Sequence, residues 1–419
     1  MLGARGRGLL GIKVFVQGIG LNLSEKMLSL KQRVIYFGML VTMVVSCFVF
    51  YKSFQFHVAN PNPWVSDLPS HTQYVLKFTQ SGKFPAYTLW YKLVSLLSGQ
   101  TLHYKKIAVV SILLLAGLVA IKYLINYLIL QTAPSTNSKL MALLSFILIF
   151  AMPILSYYKA GQYPQQITVD SFHVYLGNIA ANQWHNATLI LAMPFNLLLF
   201  YYALKYRSST KVSHFFGLGL LAVLGILCKP NYALAFLPLY CLSLCLINCR
   251  NREYLQGLCK ISVLVLPCLL VLIYQWYYTF LANDLFPHPD KTILAPFLVW
   301  KTYSPHILLS LSLSVSFPFM VALFYYQKMD EYLLMSWGVF LVALAMFSLL
   351  AEYPVYSNGN YWWGSIAANY ILFLFSARLL LSQPFDWKAK IAYSVLGLHF
   401  LSGCFLLASF FFRHSSLIL

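Results

Sequence analysis

The sequence predicts an all-α, polytopic membrane protein with about eleven transmembrane helices. Of its 419 residues, 60% are hydrophobic and 9% are charged, and the mean hydropathy is +0.70; charged residues make up about a quarter of an ordinary soluble domain. The apolar residues form runs of roughly 20 residues, the length that a helix needs to cross a bilayer. These figures exclude a disordered chain, a disulfide-rich secreted domain, a β-barrel and a water-soluble enzyme.

The charge distribution indicates membrane topology rather than binding to nucleic acid. The net charge of +19 comes from 29 Lys and Arg residues against 10 acids, and the cations lie in the segments between apolar runs. A cytoplasmic N-terminus places most of the Lys and Arg residues on the cytoplasmic side, as the positive-inside rule requires. The eight cysteines show neither a CxxC nor a Cys/His spacing, so we predict neither a disulfide framework nor a zinc site.

We predict one transmembrane domain over residues 34–412, which follows a basic cytoplasmic tail at 1–33 and precedes a short C-terminal tail at 413–419. The apolar runs place its spans at 34–51, 107–130, 139–158, 187–204, 214–228, 232–249, 261–281, 307–326, 332–351, 362–381 and 391–412.

Three long loops fall on the extracytoplasmic side, at 52–106, 159–186 and 282–306, whereas the cytoplasmic turns are short. Loops of this length on a rigid bundle are typical of an enzyme that works at the membrane surface. Within the first loop, segments 68–82 and 86–98 are helical in pattern but too short to cross. We expect both of them to lie in the membrane interface.

The first loop carries a carboxylate and an imidazole at helical spacing. If a helix begins near Pro69, Asp67 and His71 lie on one face and can meet. The alternative is that Asp67 or Ser66 only caps this helix, because Asp is a good N-cap and its charge complements the helix dipole.

The second loop is rich in polar groups, which include Asp170, His173, His185 and Asn186. Together with Asp67, the acid and the histidines could hold a divalent metal such as Mg or Mn, although no local ligand spacing makes this site specific. The alternative is that Trp184 and His185 are interfacial anchors and that Asn186 caps the next helix.

Two later features also point to this face of the membrane. Lys229 and Pro230 join two spans with almost no loop, so the Lys229 ammonium either reaches lipid phosphate or binds the phosphate of a membrane-borne donor. Glu352 precedes a cluster of Tyr and Trp residues at 361–363. Such a cluster suits a sugar ring, but an aromatic belt at the membrane interface also explains it.

These features together resemble the GT-C superfamily of integral-membrane glycosyltransferases, including bacterial members. The likeness rests on the acid at Asp67 followed by two interfacial helices, a second acid at Asp170, and a Lys-Pro break at Lys229. Asp67 is not part of the paired acids seen in several members.

The resemblance implies a transferase in the bacterial inner membrane that moves a sugar from a polyprenyl-phosphate-linked donor to an extracytoplasmic glycan, lipid or protein. Asp67 would be the catalytic base, with His71 or Asp170 tuning it or holding a metal, for which Asp67, Asp170 and His173 are the candidate ligands. The candidates for binding substrate, its lipid phosphate included, are Lys229, His185, Asn186, Lys77, Lys159, Trp184 and Glu352.

Three alternatives stay open. A polymerase or ligase of lipid-linked surface polysaccharide would use a diphosphate carrier and should present more extracytoplasmic arginine than Arg413 alone. A transporter or flippase would place charged residues or broken helices near the bilayer centre, where the spans offer Lys122, His399 and Asn196. The third alternative is a non-catalytic membrane scaffold.

Overall fold

The computed structural model of the chain is built mainly of α-helices. The residues that it describes are 30–59, 66–85, 89–134, 137–159, 168–169, 171–173, 176–281, 291–356 and 359–412. They form fourteen helices, which are α1 (Leu30–Ala59), α2 (Leu68–Ser81), α3 (Leu89–Leu97), α4 (Tyr104–Leu130), α5 (Ser138–Phe150), α6 (Ala187–Lys205), α7 (Val212–Cys228), α8 (Asn231–Arg250), α9 (Tyr254–Leu281), α10 (Leu298–Tyr303), α11 (Ile307–Tyr325), α12 (Glu331–Leu349), α13 (Trp362–Leu381) and α14 (Trp387–Phe412).

Nine of the helices in the described residues are long and apolar enough to cross a membrane, so the chain is a multi-pass membrane protein. These nine are α1, α4, α6, α8, α9, α11, α12, α13 and α14. The other two predicted spans coincide with α5 and α7, which have 13 and 17 residues. Every predicted span therefore corresponds to a helix, and the number that cross stays a prediction.

The two predicted tails lie almost wholly outside the described residues. Residues 1–29 and 413–419 are not described, and residues 30–33 of the predicted N-terminal tail already belong to α1. The cytoplasmic placement of both tails stays a prediction.

Helix α5 ends at Phe150, before the end of the predicted span. Pro153 follows soon afterwards, and proline both lacks an N–H and disfavours helical geometry in the residue before it. The chain leaves the helix at Ala151, where ψ is 126°. The freed Met152 N–H donates to the carbonyl of His399 in α14, 3.0 Å away, so a neighbouring helix satisfies the broken turn.

Two small sheets depart from a purely α-helical fold. Strands β1 (Ser156–Tyr157), β2 (Thr168–Val169) and β3 (Phe172–His173) form an antiparallel sheet in the order β1-β3-β2, and β4 (Lys291–Leu294) pairs antiparallel with β5 (Leu350–Tyr353). Strands of two to four residues are too short to show a hydrophobic period. The all-α prediction therefore fits the spans but missed these loop strands.

Helices α2 and α3 occupy the two segments predicted to be interfacial helices. Gly82 ends α2 in the left-handed conformation, with φ 69°, which glycine adopts without strain. Val75 and Phe78 of α2 are fully buried, and the Phe78 ring lies 5.1 Å from the Tyr91 ring of α3. The two helices therefore pack on each other through their apolar faces.

Helices α13 and α6 form the centre of the bundle. In their most apolar windows, 94% of α13 and 78% of α6 are buried, against 22% for α1 and for α9. The exposed faces of α1 and α9 carry large apolar side chains such as Phe37, Leu255 and Leu270. Apolar surface of this extent is what a bilayer covers.

A non-helical segment at residues 176–186, here called the buried loop, packs inside the bundle, and every one of its residues is buried. Side chains satisfy its backbone and that of its neighbours. The Asn369 amide of α13 donates to the Ile179 carbonyl at 2.6 Å, and the Asn182 amide donates at 2.8 Å to two carbonyls at the end of α5. Irregular backbone is tolerated among membrane helices only where protein or a cavity surrounds it.

Candidate functional site

Asp67 lies at the start of α2 and meets two side chains from distant parts of the chain. Its Oδ2 atom is 3.4 Å from Nε2 of His71, one turn further along α2, and accepts a hydrogen bond of 3.1 Å from the Asn186 amide. The Asp67 backbone N–H donates to the His185 carbonyl at 3.3 Å. The first long loop is thereby attached to the end of the buried loop.

Of the two residues proposed as alternative caps of α2, Ser66 rather than Asp67 provides a side-chain bond to the start of the helix. Asp67 occupies the N-cap position but makes no side-chain capping bond, and the Ser66 hydroxyl instead accepts from the Leu68 N–H at 3.2 Å. The Oδ1 atom of Asp67 is buried without a hydrogen-bond partner among the described residues. The described residues therefore leave one oxygen of this carboxylate without a hydrogen bond.

His71 is held from its other side by the second interfacial helix. Its Nδ1 atom lies 2.9 Å from the Tyr91 hydroxyl, and the two rings are 5.5 Å apart. The packing of α2 on α3 therefore fixes the imidazole that faces Asp67.

Asn186 has a structural role as well as its contact with Asp67. Its side-chain oxygen accepts from the Leu189 N–H at 2.9 Å, which confirms that Asn186 caps α6, and it also accepts from the Thr188 hydroxyl at 2.9 Å. The amide oxygen thus holds the helix terminus while the amide nitrogen holds the carboxylate.

Lys229 enters the site because the chain breaks between α7 and α8. Pro230 cannot continue α7, and Lys229 adopts an extended conformation with φ −164°. Its ammonium lies 3.4 Å from the Thr188 hydroxyl and 4.5 Å from the centroid of the Trp363 ring. Trp363 also faces the His185 ring at 5.5 Å, so one indole contacts both basic side chains.

Glu352 approaches the same site from β5. Its carboxylate accepts a hydrogen bond from the Asn360 amide, and the Asn360 carbonyl accepts from the Asn231 amide of α8 at 2.8 Å. Glu352 and Lys229 attract each other electrostatically. We call Asp67, His71, His185, Asn186, Lys229 and Glu352 the Asp67 cluster.

Burial and the neighbouring charges shift the pKa values of the residues in the Asp67 cluster. Burial raises the pKa of Asp67, but His71, His185 and Lys229 together outweigh burial and lower this pKa below its usual range. Burial lowers the pKa of Lys229 to about 8, against the opposing effect of Asp67 and Glu352. Burial also raises the pKa of Glu352 and lowers the pKa of His185 to about 4. At neutral pH the cluster therefore holds an ionised Asp67, a protonated Lys229 and a neutral His185.

Five predicted site residues, His173 among them, are not among the residues of this cluster. Asp170 lies outside the described residues. Lys77 and Lys159 are exposed, and Trp184 is buried against Phe150, with stacked rings 5.4 Å apart. The predicted interfacial role of Trp184 is thus replaced by core packing, because the buried loop carries it into the bundle.

The structure does not define the predicted metal site, for which His173 was a candidate ligand. His173 is fully buried in β3, where its Nε2 atom contacts the Leu176 carbonyl and its Nδ1 atom lies 3.4 Å from the Asn178 amide. Burial lowers the pKa of His173 to about 4. Within the described part of the chain, no three His, Cys, Asp or Glu side chains group together as a metal site would require. Because Asp170 is not described, the metal stays a prediction.

Two contributors were not identified as site residues from the sequence. Thr188 contacts Lys229, and Asn231 holds Asn360, which in turn holds Glu352. Thr188 could have been identified from the sequence, because it lies in the first turn of a helix that Asn186 was expected to cap. The contact of Asn231 depends on the packing of α8 on α13 and has no local sequence signal.

Part of the chain is similar to a known protein family. Residues 165–351, less than half of the chain, match the family model of the competence-induced Ccs4 N-terminal domain. The matched range contains His185 and Lys229 but not Asp67. No curated protein and no solved structure matches the chain.

Proposed function

We propose that the protein is a membrane glycosyltransferase that transfers a sugar from a polyprenyl-phosphate-linked donor to an extracytoplasmic glycan, lipid or protein. One observation carries the proposal: an ionised carboxylate with an unpaired oxygen and a half-buried ammonium lie within electrostatic range of each other at one end of an apolar helical bundle. Segments as far apart in the chain as Asp67, Lys229 and Glu352 contribute to this arrangement. A lipid-linked anionic donor and a water-soluble acceptor both require a site of this kind.

In the proposed reaction, Asp67 acts as the base. The acceptor hydroxyl attacks the anomeric carbon, the bond from that carbon to the phosphate oxygen breaks, and the hydroxyl proton passes to the carboxylate as the new bond forms. His71 and Asn186 both contact Oδ2, so they orient the carboxylate and leave Oδ1 for the acceptor.

Lys229 is the proposed partner of the departing lipid phosphate. Negative charge develops on that group as the bond breaks, and an ammonium held in place stabilises it. The Thr188 hydroxyl and the Trp363 ring contact the ammonium, and the carboxylates of Asp67 and Glu352 attract it. His185 is neutral at pH 7, so it would contribute a hydrogen bond rather than charge.

Glu352 and Trp363 are the proposed contacts for the sugar, because a carboxylate and an indole face suit hydroxyl groups and an apolar ring face. The bacterial inner membrane and an extracytoplasmic site are part of the proposal, as is an Mg or Mn ion, whose ligands the described residues do not define. Chelation by EDTA in the transfer assay described next would test the metal.

The deciding experiment is Asp67→Asn, assayed by incorporation of labelled sugar into membrane glycans at matched protein abundance. Asparagine keeps the shape and cannot accept the proton, so we expect activity to fall by about 10²- to 10⁴-fold. Glu253→Gln, an exposed amide substitution near the start of α9, is the matched control and should retain activity. Full activity in Asp67→Asn would eliminate this mechanism.

A further inference from the structure

A narrow cavity lies inside the bundle beside Lys122 of α4. Side chains of α4, α5, α6, α13 and the buried loop line it, and its volume is about 20 Å³. That space holds a water-sized sphere, so it excludes a sugar or a diphosphate.

Lys122 brings a buried amine into this cavity without an acidic partner. Its side chain is 8% exposed, its Nζ atom lies 2.6 Å from the Asn182 side-chain oxygen, and it sits 3.3 Å from the centroid of the Tyr370 ring. The ion pairs formed within the described ranges involve other residues. Burial without a counter-charge disfavours the charged form of a lysine, so an anion beside Lys122 would stabilise its ammonium form.

Two other side chains that line the cavity carry polar atoms without partners among the described residues. Gln183 is 7% exposed and lines the cavity, and neither its amide nitrogen nor its amide oxygen has a partner among the described residues. The indole N–H of Trp184, which also lines the cavity, is likewise unpaired there. Buried polar groups without partners are uncommon and require an explanation.

The chemistry of this lining favours an anion. The ammonium, the amide NH2 and the indole N–H are all donors, whereas the Gln183 oxygen is the one unpaired acceptor among these three side chains. A cation would meet mainly donor groups. A small anion would accept from these donors and would also stabilise the protonated form of Lys122.

We propose that the Lys122 cavity binds a small monovalent anion of halide size, with chloride as its occupant. The anion would join α4 to the buried loop, whose last two residues, His185 and Asn186, belong to the Asp67 cluster. The proposal concerns a second site and holds whether or not the Asp67 cluster transfers sugar.

Thermal unfolding of the purified full-length protein in detergent tests this proposal, in sodium chloride against sodium gluconate at equal ionic strength. Gluconate is too large for the cavity. We expect chloride to raise the wild-type melting temperature by about 2 °C, with a saturable dependence on concentration. Lys122→Met should lose this response, and Lys105→Met, an exposed substitution on the same helix, should keep it.

A bromide-containing crystal of the wild-type protein gives an independent measurement if Lys122→Met fails to fold. The expected result is an anomalous peak within about 3.5 Å of the Lys122 ammonium. The proposal is overturned if the wild-type protein melts equally in both salts, if Lys122→Met keeps the chloride response, or if bromide is absent from the cavity.

Discussion

The environments of Asp67 and Lys229 leave both side chains charged at neutral pH. Each is partly buried, and burial alone would favour the neutral form of both. The basic side chains around Asp67 reverse this effect for the acid, whereas two nearby carboxylates only moderate it for Lys229. Perturbed groups that interact electrostatically in one site are typical of functional rather than structural positions.

The pKa of Lys229 predicts an alkaline limit to activity. Because this pKa is lowered to about 8, the amine loses its proton as the pH rises through that value, and phosphate stabilisation is lost with it. His185, with a pKa of about 4, and Asp67, with a pKa below its usual range, do not titrate there. We expect the transfer rate to fall between about pH 7 and pH 9.

Lys229→Arg separates this effect from a general loss of structure. A guanidinium stays protonated, so the variant should keep its rate to about pH 9 even if its maximum is lower, and Lys229→Met should be slow at every pH. Rate against pH at constant abundance is the measurement. An unchanged alkaline limb in Lys229→Arg would assign the limb to another group.

At the scale of elements, hydropathy predicted the helices well and the buried loop not at all. Runs such as 187–204 and 362–381 are continuous in the sequence, so their helices follow from composition. Residues 176–186 contain Asn178, Asn182 and Gln183 and were assigned to a loop at the membrane surface. Their burial depends on hydrogen bonds with Asn369 of α13, Ser314 of α11 and Trp300 of α10, which local sequence patterns do not reveal.

The candidate site shows the same contrast between features that local sequence patterns predict and features that depend on packing. The spacing of Asp67 and His71 is local and could be predicted from helical geometry. The approach of Lys229 to these residues depends on how α7 and α8 pack against α6, α12 and α13. The sequence indicated that a lysine lay at a break between two spans. Only the fold places this lysine near enough to Asp67 to lower the pKa of the carboxyl group.

Asn182 is predicted to be the main polar link between the buried loop and the spans. Its amide nitrogen donates to two α5 carbonyls and its oxygen accepts from Lys122. Asn182→Ala removes all three of these hydrogen bonds, so we expect the free energy of unfolding to fall by about 1–3 kcal/mol. Denaturant titration in detergent measures this loss.

Asn251→Ala, an exposed position after α8, provides the matched control and should change the free energy of unfolding by less than about 0.5 kcal/mol. If Asn182→Ala were as stable as this control, the buried loop would not depend on its asparagine bonds.

At the scale of the whole molecule, the two ends of the bundle differ in how they use charge. One end carries the Asp67 cluster. At the other end, Arg378 pairs with Asp330 and Arg207 pairs with Glu331, so the start of α12 is tied to α13 and to the turn after α6. The second end is the one predicted to face the cytoplasm, where Lys and Arg residues accumulate.

Cysteine labelling tests this orientation. Lys83 follows α2 at the end that carries the Asp67 cluster, Lys390 lies in the first turn of α14 at the other end, and both are exposed. In a background that keeps only the buried Cys228 and Cys268, we expect Lys83→Cys to react with a membrane-impermeant maleimide in intact cells. Lys390→Cys should react only after permeabilisation. The reverse pattern would place Asp67 on the cytoplasmic side, where an extracytoplasmic acceptor could not reach it.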